Sequence, residues 1–124
     1  MLPNRRILVV EDDPDGQVVV ATMLEHLHLP VDVAGDAEQA EAMLFGSDQQ
    51  YGVAIIDLAL PGKDGWEFLN TIRSNPATRD LPCIAVTAYH TSKTREQALT
   101  AGFTGYFAKP LDTTSFSREL EKFI

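Results

Sequence analysis

The chain has 124 residues, 44% hydrophobic and 23% charged, the composition of one ordinary folded domain with no room for a second. Its 10 basic and 18 acidic residues leave a formal net charge of −8, which argues against direct nucleic-acid binding, because that rests on Lys and Arg neutralising phosphates. No apolar run approaches the ~20 residues that cross a bilayer, no signal-peptide pattern opens the chain, and the single cysteine, Cys83, excludes an internal disulfide and a multi-cysteine metal site. A cytoplasmic protein without membrane contact is expected, with Cys83 a buried and inert thiol.

Apolar runs and helix-like patterns then alternate along the chain. Ile7–Val10 is a short continuous apolar run, as in a strand buried on both faces. Val20, Met23, Leu24 and Leu27 recur at helical spacing and predict the first helix. Val31–Val33 predicts a second strand. Asp36 with Gln39 three residues on resembles a capping box opening a second helix, which Gly46 closes. Val53–Ile56 is the next buried strand. After a loop bracketed by Gly62 and Gly65, Phe68, Leu69 and Ile72 mark a third helix that Asn75-Pro76 ends. Ile84–Val86 is a strand, residues 92–101 form a weakly amphipathic helix stopped by Gly102, and Tyr106–Ala108 is a strand. Phe116, Leu120 and Phe123 predict a last helix running to the chain end. Five strands alternating with five helices imply right-handed βαβ units and a parallel sheet covered by helices on both faces, an α/β fold.

In open parallel sheets the ligand site lies beyond the carboxyl ends of the strands. The residues just past the apolar runs are Glu11, Asp12 and Asp13 after Val10, Asp57 after Ile56, Thr87 after Val86 and Lys109 after Ala108. A post-strand Asp often caps the next helix, but Asp57 is succeeded by Leu58-Ala59-Leu60-Pro61 and not by a helix. Asp12 and Asp13 have a plainer use as acids in the first turn of a helix. Adjacent carboxylates facing a third repel unless a cation neutralises them, and an all-oxygen site with spare water positions suits Mg²⁺. Lys109, opposite these acids, would sit close to any phosphoryl oxygen, with Thr87 adding a hydroxyl hydrogen bond. His26 and His28, two apart on the first helix, point to different sides, and with His90 they read as surface residues.

The segments Val9-Val10-Glu11-Asp12-Asp13-Pro14, Ile55-Ile56-Asp57 through Gly65, Val86-Thr87-Ala88 and Ala101-Gly102 through Lys109-Pro110 resemble, in this order, the receiver domain of two-component response regulators. The resemblance spans residues 1–124 as a single receiver domain. It implies the flavodoxin-like, doubly wound five-stranded sheet of order 2-1-3-4-5. It further implies that Asp57 accepts a phosphoryl group from a sensor histidine kinase or phosphotransfer protein, giving an aspartyl phosphate. Asp12, Asp13 and Asp57, with the backbone carbonyl of Ala59, would hold Mg²⁺, Asp13 directly and Asp12 through water. Lys109 and Thr87 would be drawn to the new phosphoryl oxygens. Tyr106 resembles the family's switch aromatic, moving into space that Thr87 vacates and so altering a surface of residues 92–101 and 105–123. That face is the expected meeting place for a downstream protein target or a homodimer. Such a domain catalyses only its own phosphorylation and dephosphorylation. The family usually has Lys109-Pro110 as a cis peptide and Met where Leu60 stands, and Ala59 and Tyr89 occupy variable positions where a bulky Tyr89 would shield the phosphoryl group.

Other readings fit less well. Haloacid-dehalogenase-type phosphatases also use a post-strand aspartate but carry a second acid two residues on, where Ala59 stands here. Neither G-x-G-x-x-G nor G-x-x-x-x-G-K-[ST] occurs. A phosphate-independent interaction module usually lacks an acid, the Thr or the Lys, and this chain has them all. Two readings stay open, a stand-alone regulator acting by protein contact and a receiver excised from a longer hybrid kinase; Met1 with a short lead-in favours the first.

Overall fold

Each apolar run becomes a strand. The computed structural model describes residues 6–46 and 50–123. Its strands are β1 (Arg6–Val10), β2 (Val31–Ala34), β3 (Tyr51–Asp57), β4 (Cys83–Thr87) and β5 (Gly105–Ala108). Between them run the helices α1 (Pro14–His26), α2 (Ala37–Phe45), α3 (Gly65–Ser74), α4 (Ser92–Ala101) and α5 (Thr113–Leu120). The sheet has the order β2-β1-β3-β4-β5, with every neighbouring pair parallel. This is the flavodoxin-like arrangement that the motifs implied.

Side chains alternate across the strands, so one apolar run feeds two cores. Leu8, Val10, Ala54 and Ile56 pack with Phe68, Leu69 and Ile72 of α3 on one face. Ile7, Val9, Val53 and Ile55 pack with Val20 and Leu24 of α1 and Phe116 and Leu120 of α5 on the other. Cys83 is fully buried, and burial pushes its thiol up to about 11, as expected of an inert sulfur.

Local chemistry sets the ends of the helices. Asp13 caps α1 by accepting from the Gly16 N–H at 3.1 Å, with Pro14 in the first turn, where its missing N–H costs nothing. Asp36 caps α2 through the Gln39 N–H. The Gln39 side chain, however, accepts from the Gly35 N–H and not from that of Asp36, so only half of the expected box forms. A complete capping box appears at α3 instead, between Asp64 and Glu67. Gly102 ends α4 in the left-handed conformation, with φ 119°.

Two expectations shift. The last helix stops at Leu120 and tightens into a 3₁₀ turn over Glu121–Phe123, whose Phe123 still reaches the α1/α5 core; residue 124 lies outside the described residues. His28 is not on a helix but comes after α1 with φ 58°. No described helix is long and apolar enough to cross a membrane.

Candidate functional site

The strand register assembles the site. Val10 pairs with Ile56, so Glu11, the next residue after β1, emerges beside Asp57. Asp57 pairs with Val86. Thr87 pairs with Ala108, and the Lys109 N–H donates to the Thr87 carbonyl at 2.8 Å. Four residues far apart in sequence thereby meet at one sheet edge, where α/β folds place ligands.

Asp57 ends the central strand and is 7% exposed. Its Oδ1 accepts from the Ala59 N–H at 2.9 Å, and its Oδ2 accepts from Lys109 Nζ at 3.1 Å. Lys109 Nζ also donates to Glu11 Oε1. Glu11 is buried, its carbonyl accepts from Gln17 Nε2 at 2.7 Å, and its Oε2 accepts a longer bond from the Asp13 N–H at 3.4 Å. Exposed Asp12 completes a group in which carboxylate oxygens of Glu11, Asp12 and Asp57 lie within 4.8 Å of one another.

The charges in this group are unbalanced. Burial, reinforced by the neighbouring Asp57, pushes the Glu11 carboxyl up to about 7. Burial pushes Asp57 the same way, but hydrogen bonds with Glu11, the Ala59 N–H and Lys109 outweigh it and hold Asp57 below its ordinary value. Burial works against the Lys109 ammonium, yet its two carboxylate partners raise its pKa. Three carboxylates against one ammonium leave a site short of positive charge, and its all-oxygen donor set fits a hard divalent cation.

The expected residues are not all brought together. Asp57, Thr87 and Lys109 converge on one edge, and Asp12 joins them. Asp13, expected as a direct metal ligand, instead turns its carboxylate to the first turn of α1, and Glu11 occupies the place beside Asp57. The signal for this was in the sequence. Pro14 is favoured at the first helical position, which makes Asp13 the N-cap and leaves Glu11-Asp12 as the acid pair facing the cleft.

The loop after Asp57 folds back tightly. The Gly65 N–H donates to the Leu58 carbonyl at 3.1 Å, and a Cβ on Gly65 would lie 2.8 Å from Leu58 Cα, so only glycine permits this approach. Beside it lies an open groove of about 300 Å³ lined by Ala59, Trp66, Thr87 and Tyr89. Thr87 is 2% exposed, and its Oγ1 accepts from the Tyr89 N–H at 3.0 Å. Tyr89 itself is 76% exposed.

Tyr106 is 6% exposed and packs in the α3/α4 core, with its hydroxyl 2.9 Å from His90 Nδ1. His90 is on the surface, as expected, but no motif signalled this partnership, which depends on how the β4–α4 loop folds over β5. The Lys109-Pro110 peptide is cis.

Known proteins resemble this chain in sequence and in fold. The receiver domain of sensor histidine kinase PA1611 from Pseudomonas aeruginosa PAO1, solved with magnesium coordinated in its active-site cleft, is 34% identical with a TM-score of 0.84, each chain covered over 97% of its length. Chemotaxis protein CheY4 of Vibrio cholerae shares the fold, with a TM-score of 0.85 at 22% identity over 97% of this chain and 98% of that one. An uncharacterized 14.6 kDa protein of Leptolyngbya boryana is 36% identical, matching 98% of this chain and 92% of its own. The transcriptional regulatory protein HprR of Escherichia coli is 32% identical over 94% of this chain, which spans only 49% of that regulator. The family model of the response regulator receiver domain matches residues 7–121. A parallel sheet of order 2-1-3-4-5, an acidic cluster at its carboxyl edge and a match over nearly the whole chain place this protein in the response regulator receiver domain family, the phosphoacceptor switches of two-component systems.

Proposed function

We propose that Asp57 is the phosphoacceptor and that phosphorylation there resets a protein-binding surface. The carrying observation is the Asp57 carboxylate itself, buried at the end of the central strand, with one oxygen held by the Ala59 N–H and the other by Lys109. A carboxylate oxygen fixed in this way is a positioned nucleophile. It forms a new P–O bond as the P–N bond of a phosphohistidine breaks, and the imidazole keeps the electron pair. Glu11, Asp12 and Asp57, with the Ala59 carbonyl, are the residues to hold Mg²⁺, a set that leaves Asp13 to its helix cap. Bound there, the ion would supply charge neutralisation for the phosphoryl oxygens.

Lys109 carries the remaining positive charge. A unit pair at ~4 Å is worth roughly 4 kcal/mol at an effective dielectric of 20, for Glu11 as for a phosphoryl oxygen, so the greater charge of a phosphoryl group is what would draw Lys109 from Glu11. The Thr87 hydroxyl, facing the same groove, would leave the Tyr89 N–H for that oxygen. The space it vacates would let the Tyr106 ring, already buried in the core, shift inward from its contact with His90. The β5 edge and the faces of α4 and α5 would then change shape for a downstream protein, or for a second copy of the chain. A histidine kinase or phosphotransfer protein is the donor, and hydrolysis of the acyl phosphate by water ends the signal.

Phosphorylation by acetyl phosphate, monitored through the single tryptophan, Trp66, in the groove wall, tests the roles. Removing a preorganised group that stabilises developing charge costs about a hundredfold or more in rate. Lys109→Ala is therefore expected to slow phosphorylation by that order. Thr87→Ala is expected to accept the phosphoryl group but leave Tyr106 in place. A wild-type rate in Lys109→Ala would remove Lys109 from the chemistry.

A further inference from the structure

We propose that Gly16, in the first turn of α1, is a positioning residue for the acid pair: its missing side chain is the space that Glu11 needs to reach Lys109 and Asp57. The proposal rests on Glu11 being a residue of the proposed phosphoacceptor site and concerns what holds it there.

Glu11 is one methylene longer than an aspartate, and its side chain must fold back across the start of α1 to end beside Lys109. A Cβ placed on Gly16 would overlap Glu11 Oε1 and lie 2.8 Å from its Cδ and 3.1 Å from its Cγ. Even an alanine therefore excludes the present position of the Glu11 carboxylate. The obstructed atoms are the far end of a flexible side chain and not backbone, so the helix would stay and the carboxylate would move.

Nothing else at position 16 calls for glycine. It lies inside a helix, outside the set of positive-φ glycines, which are Gly62 and Gly102 among the described residues. Its N–H donates to Asp13 Oδ2, a bond any non-proline residue would make. Glycine there weakens α1 relative to alanine. A residue unfavourable to its own helix, with no conformational need for it, is explained by the carboxylate packed against it. Glu11 and Gly16 thus form one unit, and an aspartate at position 11, being shorter, would release position 16.

The test is a double-mutant cycle of Gly16→Ala and Glu11→Asp, read in two ways. Mg²⁺ titration by Trp66 fluorescence is expected to show Gly16→Ala weakening binding by about 10- to 100-fold, the usual effect of disturbing the support of a metal ligand. In the Glu11→Asp background the same change should alter binding less than about twofold, the rescue that a merely structural role would not produce. Melting temperature without metal is the second reading. Gly16→Ala should raise it by a few degrees in the Glu11→Asp protein, through helix propensity alone. In the wild-type background that gain should vanish as the Glu11–Lys109 contact is lost. A wild type that does not respond to Mg²⁺ would count against the metal reading, and the melting cycle then decides the fate of the Gly16 proposal. Equal effects of Gly16→Ala in both backgrounds, in either measurement, would overturn it.

Discussion

At the scale of single residues, the site is governed by too many carboxylates around one ammonium. Asp57, Thr87 and Lys109 were legible because each directly succeeds or ends an apolar run, and the end of a buried strand leaves little choice of direction. The acid pair was legible only to within one position. Three consecutive acids come after β1, and which of them faces the cleft depends on where α1 begins, a matter settled by the Asp13 cap and Pro14. The tie between Tyr106 and His90 was not legible at all. It joins side chains across a loop, and no periodicity reports loop geometry. His90→Ala is expected to release the Tyr106 hydroxyl and let its ring leave its present packing more often. With three tyrosines in the chain, ¹⁹F spectra of fluorotyrosine-labelled protein can track this. The Tyr106 resonance should shift or broaden, and an unchanged spectrum would show that His90 does not hold the ring.

At the scale of elements, the apolar runs located every strand but undershot their ends, because residues outside those runs continue them, half-buried Arg6 and Tyr51 among them. Arg6 begins β1 and Tyr51 begins β3, and both hydrogen-bond Asp32 of β2, at 2.8 and 2.7 Å, to tie three strands together at the edge opposite the site. Burial pushes Asp32 upward, but these bonds outweigh it and lower its pKa. The folded protein therefore binds this proton less readily than the unfolded chain. The stabilisation is complete above the unfolded value of about 3.9 and is lost as pH falls through the lower folded value. The gap in urea stability between wild type and Asp32→Asn should thus hold constant from about pH 5 to 7 and narrow below about pH 4. A gap insensitive to pH would mean the carboxylate's charge is not what the arrangement uses. The α3 capping box supports the loop behind Asp57, and Asp64→Ala should cost about 1 kcal/mol in the same assay. Helix α4 has the opposite character. Only Ala98 is buried on it and Leu99 is exposed, so its weak amphipathic signal was a true report of a lightly anchored element beside Tyr106.

At the scale of the whole molecule, two cores share one sheet, and the strand register brings the site residues together at its edge. Strict strand–helix alternation made this architecture the most legible feature of the sequence, since parallel strands joined by helices leave few topologies open. Phe68 is fully buried in the core on the α3 side of the sheet and is not among the acidic cluster, so Phe68→Ala should cost about 3–5 kcal/mol in stability. Whatever of that variant remains folded should still accept a phosphoryl group. Fold and chemistry are separable in this sense because the cores only fix where the strands end. The central claim is that those strand ends make Asp57 a Mg²⁺-dependent phosphoacceptor. Its most direct test is intact mass after incubation with acetyl phosphate, with and without Mg²⁺, on wild type and Asp57→Asn. The account predicts a gain of about 80 Da, one phosphoryl group, in the wild type with Mg²⁺ and in neither control. An unmodified wild type, even with a histidine kinase as donor, or an equal gain in Asp57→Asn, would contradict it.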